Sequence, residues 1–138
     1  MSDNSILDRF ITRDGNRADL LLPSEAESPS DDYLSFGWAR GTKDRPVMLE
    51  LRKRTGEILA LGYSWLERAH YDPSIGVTLN FVGHKIEIKG RNLNEEIRPS
   101  VRLFEGLTRH RVTWIRECDE PDRMEASEKA TVIDSIEW

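Results

Sequence analysis

From Tyr33 onward, hydrophobic and polar positions alternate with a period of two, the spacing of a strand that buries one face. In YLSFGWAR, Leu34, Phe36 and Trp38 face one way and Tyr33, Ser35 and Gly37 the other. VMLELRK repeats the pattern, with Val47, Leu49 and Leu51 opposite Met48, Glu50 and Arg52. RTGE reads as a turn in which Gly56 takes positive φ, and EILALGYSWL as the strand that returns in a hairpin. DPSIG has the residue order of a second tight turn, with Pro73 at its second position and Gly76 closing it. RAHY enters that turn and GVTLNFV leaves it, with Val77, Leu79 and Phe81 on one face. HKIEIKG follows the VGHK turn, with Ile86 and Ile88 inward. The aromatic-rich stretch from Leu61 to Val77 therefore reads as a strand, a corner and a turn.

The period changes after GRNLN. Ile97, Val101, Phe104 and Leu107 fall at helical spacing within Glu95 to His110. Pro99 lacks an N–H and belongs in a first turn, so the regular helix is expected from Arg98 onward. RHRVTWIREC and ATVIDSIEW read as closing strands, separated by a polar loop, DEPDRMEASEK. In RHRVTWIREC, Val112 and Trp114 are expected opposite Thr113 and Ile115, with Trp38 and Trp114 in the core. The fold class predicted is α+β: an antiparallel meander, a sheet or partly rolled barrel of about six to seven strands, with one helix packed across it.

Residues 1–32 break the pattern. SEAESPSDD is rich in acids, serine and proline without apolar periodicity, and this segment reads as a flexible acidic arm ahead of one domain over 33–138. SILDRFI and Leu20–Leu22 are its apolar patches. The chain's net charge of −5 divides unevenly: residues 33–117 carry +5, and the two ends together carry −10. No apolar run approaches the ~18 residues that span a membrane. The N-terminus lacks the basic and apolar regions of a signal peptide. A single cysteine, Cys118, excludes an internal disulfide and fits a reducing cytoplasm.

Candidate chemistry is sparse. Tyr63, Glu67, His70 and Asp72 are the titratable groups near the corner, and His70 and Asp72 share a strand face. Strand-end charges and a core-edge tyrosine account for them better, because no second element is tied to them by spacing. His70, His84 and His110 match no metal-ligand pattern, and no nucleophile elbow, phosphate-binding glycine loop or CxxC is present. Neither a metal nor a cofactor is expected. Cys118 stands beside Glu117, Asp119 and Glu120, which oppose thiolate formation. The basic residues are the other candidate set. Arg40, Lys43, Arg45, Arg52, Lys53 and Arg54, with Arg98, Arg102 and Arg109 on one helix stripe, suit phosphate neutralisation. The bland alternative is a solvated face of mixed sign.

YSWL, GRNL and HRVTWI resemble segments of small bacterial domains, a likeness from which no activity follows. The first expectation is a small soluble interaction domain that binds a protein partner or itself as a homodimer through its apolar strand edges and the SILDRFI and Leu20–Leu22 segments. The second is a nucleic-acid-associated protein whose basic surface is masked by acidic ends. The third is an enzyme with a cleft near Tyr63, His70 and Asp72.

Overall fold

A computed structural model describes residues 30–41 and 45–138. Its elements are β1 (Ser30–Asp32), β2 (Phe36–Ala39), β3 (Met48–Arg52), β4 (Ile58–Gly62), β5 (Leu66–Asp72), β6 (Gly76–Phe81), β7 (His84–Arg91), α1 (Leu103–Thr108), β8 (Val112–Arg116), α2 (Glu120–Glu125) and β9 (Val132–Glu137). The expected single meander is divided between two sheets. One runs β1-β2-β8-β3-β4, and the other runs β5-β6-β7-β9. Every pairing is antiparallel except that of β3 with β8. The division occurs at Tyr63–Trp65, a single 3-10 turn that interrupts the long strand read from EILALGYSWL and carries the chain from one sheet to the other. Strand alternation is insensitive to such a turn, because three residues of 3-10 geometry leave the flanking periodicity intact.

The two sheets share one core. Phe36, Leu49, Leu51 and Ile115 from the first meet Val77, Leu79, Ile86, Ile88, Ile133 and Ile136 from the second, all almost fully buried. The alternation that predicts Leu49 and Leu51 inward holds. It fails on β8, where Val112 and Ile115 are buried and Trp114 is not. The pairing of β2 with β8 slips between Gly37 and Trp38, a bulge that resets which residues face in. Trp114 therefore lies on the outer face beside Gly37 and Glu50, half-buried rather than in the core. A Cβ at Gly37 would come 2.3 Å from the indole Nε1, so only glycine lets Trp114 lie across the strand.

Two short helices replace the expected one. Arg98 to Val101 forms a tight turn, with Pro99 second and Ser100 third at φ 67°. The Val101 N–H donates to Arg98 O, and the Ser100 N–H donates to the Glu96 carboxylate. That turn takes up the residues expected to begin the helix, and Arg102 is still extended, so α1 starts at Leu103. α2 lies within the polar loop. Asp119 and Asp122 cap it reciprocally, and Pro121 sits in its first turn. The last three residues of the segment read as an arm, Ser30–Asp32, pair with β2 as β1. SILDRFI and Leu20–Leu22 lie outside the described residues.

Beyond β8 the two sheets are joined by hydrogen bonds. The Glu117 N–H donates to Arg52 O, and the Cys118 N–H donates to Ile133 O. The Glu117 carboxylate accepts the backbone N–H of Arg54 through Oε1 and that of Ile136 through Oε2, each at 2.8 Å. Arg54 Nη1 returns to Cys118 O at 2.9 Å and Asp134 O at 3.0 Å. Glu117→Ala strands two backbone N–H groups and is expected to lower stability by about 2 kcal/mol, measured by urea denaturation. Arg116 and Asp122 form a two-pronged ion pair at 2.9 and 3.1 Å. That pair holds the Asp122 carboxyl down, from 3.8 to about 2. A depressed folded pKa means its contribution is complete above the unfolded value and lost as pH falls through the folded one. The stability gap between the parent and Asp122→Asn is therefore expected to close between pH 3.8 and about 2 in acid denaturation.

Candidate functional site

The titratable groups near the corner are divided among the core, an outer strand and a turn. Tyr63 is buried, and its hydroxyl donates to Val112 O at 2.6 Å. Its ring stacks on His110 with centroids 4.4 Å apart. Burial pushes the phenol far above its ordinary pKa. His70 and Glu67 are exposed on β5, an outer strand of the second sheet. The Asp72 carboxylate accepts from Ser74 Oγ at 2.7 Å and Ser74 N–H at 2.9 Å, closing the DPSIG turn. Those bonds, the hydroxyl's first, hold its pKa below the ordinary value, with His70 adding a minor pull. Tyr63 is thus spent on the interior and Asp72 on the turn.

The basic residues fall into separate groups. Arg54 belongs to the seam at Glu117. Arg102 donates to Asn94 O and pairs with Glu96. Arg52 pairs with Glu50 and lies 4.7 Å over the Trp114 ring, while Lys53 lies 4.1 Å over Trp138. Arg45 donates to Gly41 O. Lys43 lies outside the described residues. Arg40, Arg98 and Arg109 do converge, joined by Arg111, around a cleft of about 520 Å³. The β1–β2 hairpin, the Arg98–Val101 turn and the end of α1 build it. Arg111 uses Nη1 to hold the carbonyls of Ala39, Arg40 and Gly41, which fixes the strand end that carries Arg40. Tyr33 and Trp38 supply an aromatic wall. Trp38 is set by Gly106 of α1, where a Cβ would come 2.3 Å from its six-membered ring. Asp31 and Glu105 stand among the arginines, 3.5 Å from Arg40 and 3.3 Å from Arg109. The Tyr33 hydroxyl sits in this field. Burial and Asp31 raise its pKa, and Arg98 and Arg40 oppose the rise.

A second feature stands at the opposite edge of the first sheet. Each sheet ends in two outer strands: β1 and β4, β5 and β9. β1 carries Asp31 and Asp32. β5 carries Glu67, Arg68, His70 and Asp72 and is bulged between Leu66 and Arg68. β9 carries Asp134 and Glu137. Charges and bulges of this kind keep free edges from pairing with other chains. β4 reads ILALG, with neither charge nor proline, in unbroken register with β3. Ile58, Ala60 and Gly62 pair with Arg52, Glu50 and Met48, and the row they form faces away from the buried Leu49 and Leu51. Around this edge Val47, Met48, Ile58 and Trp65 are 80, 47, 58 and 60% exposed. The uncharged run from Ile58 to Leu66 is legible in the sequence, but its standing as an outer strand is not. Arg111 joins the cleft only because β8, which begins one residue later, pairs beside β2.

No protein family, curated protein or solved structure matches this chain. Tyr63→Phe is expected to cost about 1 to 2 kcal/mol of folding stability, read as a lower urea midpoint, because a buried hydroxyl–carbonyl bond is lost.

Proposed function

We propose that this chain is a self-associating interaction module in which β4 of one copy pairs antiparallel with β4 of a second. The observation that carries this reading is the contrast among the outer strands: β4 is the one, among the described residues, without a charged side chain. An antiparallel pair of identical strands about a two-fold axis is self-complementary, so each copy's outward N–H and C=O groups meet their own counterparts. Two five-stranded sheets would then become one continuous sheet. Val47, Met48, Ile58 and Trp65 surround the junction and supply apolar area that water otherwise covers.

Ala60 is the middle residue of β4 and belongs to its outward row. A lysine there faces Glu50 within its own copy and another lysine across the two-fold axis. Light scattering coupled to size exclusion is expected to give the mass of two chains for the parent and of one chain for Ala60→Lys, with unchanged circular dichroism. A one-chain mass for the parent at high micromolar concentration, or a two-chain mass for Ala60→Lys, refutes the pairing.

A further inference from the structure

We infer that the cleft between the β1–β2 hairpin, the Arg98–Val101 turn and α1 binds a nucleotide, its phosphate held by Arg98, Arg109 and Arg40 and its base set against Tyr33 and Trp38. Four arginines arrive from three segments of the chain, Arg40, Arg98 and the Arg109–Arg111 stretch, and two carboxylates accompany them, leaving the lining with a net charge of +2. That balance complements a phosphomonoester dianion, and planar guanidinium forks suit phosphate oxygens better than ammonium groups do. Arg98 makes no ion pair among the described residues, and it lines the cleft as an exposed side chain. Ser100 holds a left-handed φ of 67° in the Arg98–Val101 turn, kept there by the Glu96 carboxylate. Backbone strain of this kind persists where surrounding contacts impose it, and here it presents Arg98. The pairs Arg40–Asp31 and Arg109–Glu105 are solvent-exposed and weak, so a ligand phosphate competes with them readily.

The aromatic wall separates a nucleotide from a bare anion. An indole and a phenol beside guanidinium groups form a stacking surface for a base, which inorganic phosphate cannot use. The volume of about 520 Å³ lies in the small-ligand range and admits a nucleotide unit but not a duplex. A base beside a phosphate reaches the cleft either as a free nucleotide, whose monoester is a dianion, or in a single strand, whose diester carries one negative charge.

The test is calorimetric titration of the full chain with adenosine monophosphate, with a mixed-sequence single-stranded RNA and with inorganic phosphate. Arg98→Ala/Arg109→Ala is expected to weaken nucleotide binding about tenfold or more. Asp31→Asn, which removes a negative charge from the cleft, is expected to tighten it. Arg52→Ala, on the outer sheet face, is expected to leave it unchanged. Monophosphate binding as tight as RNA binding identifies a free nucleotide. Tighter RNA binding with the same arginine dependence identifies a strand. The inference falls if neither ligand binds, if the arginine pair can be removed without effect, or if inorganic phosphate binds as tightly as the monophosphate. Should the double variant fail to fold by circular dichroism, Asp31→Asn decides alone, and unchanged binding overturns the inference.

Discussion

The carboxylate of Glu117 is the point on which the two sheets depend at the end of β8. It takes one backbone N–H from the first sheet's β3–β4 turn and one from β9 of the second, while Arg54 answers with bonds to Cys118 O and Asp134 O. The 3-10 turn at Tyr63–Trp65 joins the sheets covalently elsewhere. Between these two links lies a core made mostly of branched aliphatic side chains, with Phe36, Tyr63 and Phe81. Such a core is attractive without being directional. The hydrogen bonds at Glu117 and the geometry of the turn therefore decide which strands lie opposite one another, and the core rewards the result.

Charge in this protein is distributed by mechanical need. Acidic side chains stand on three outer strands, where they keep free edges in water. Asp72 and Asp119 hold a turn and a helix start through backbone N–H groups. Arginine serves three different ends. Arg54 and Arg111 donate to backbone carbonyls, Arg52 covers an indole, and Arg98 faces the cleft. A tally of basic residues along the chain blends these roles, which is why the +5 of the central segment overstates the positive surface available to a partner.

The cleft and the uncharged β4, an outer strand among the described residues, lie at opposite margins of the first sheet. Ligand binding at one and pairing at the other are therefore compatible in a single molecule. The five-stranded sheet is the common frame, and β8, inserted between β2 and β3, is its centre. That strand carries Trp114 on the outer face and leads from Arg111, which braces the cleft, to Glu117, which closes the seam.

The sequence by itself determined the inward faces of several strands and two of their turns. Alternation identified Leu49 with Leu51, Val77 with Leu79, and Ile86 with Ile88 as inward pairs, and Gly56 and Gly76 do take positive φ. These are local matters, set by side-chain period and backbone sterics. Alternation read Tyr63–Trp65 as part of one strand, whereas a 3-10 turn there ends β4 and starts β5 in the other sheet. Only the tertiary structure decided the parallel insertion of β8 beside β3, because strand order depends on contacts far apart in the chain. It also decided the bulge that turned Trp114 outward, and the turn at Ser100 that shortened α1. The candidate sites belong to this second category. Arg40, Arg98, Arg109 and Arg111 are scattered along the chain and meet through topology, and an uncharged run such as ILALG becomes a free edge only when no strand takes the place beside it.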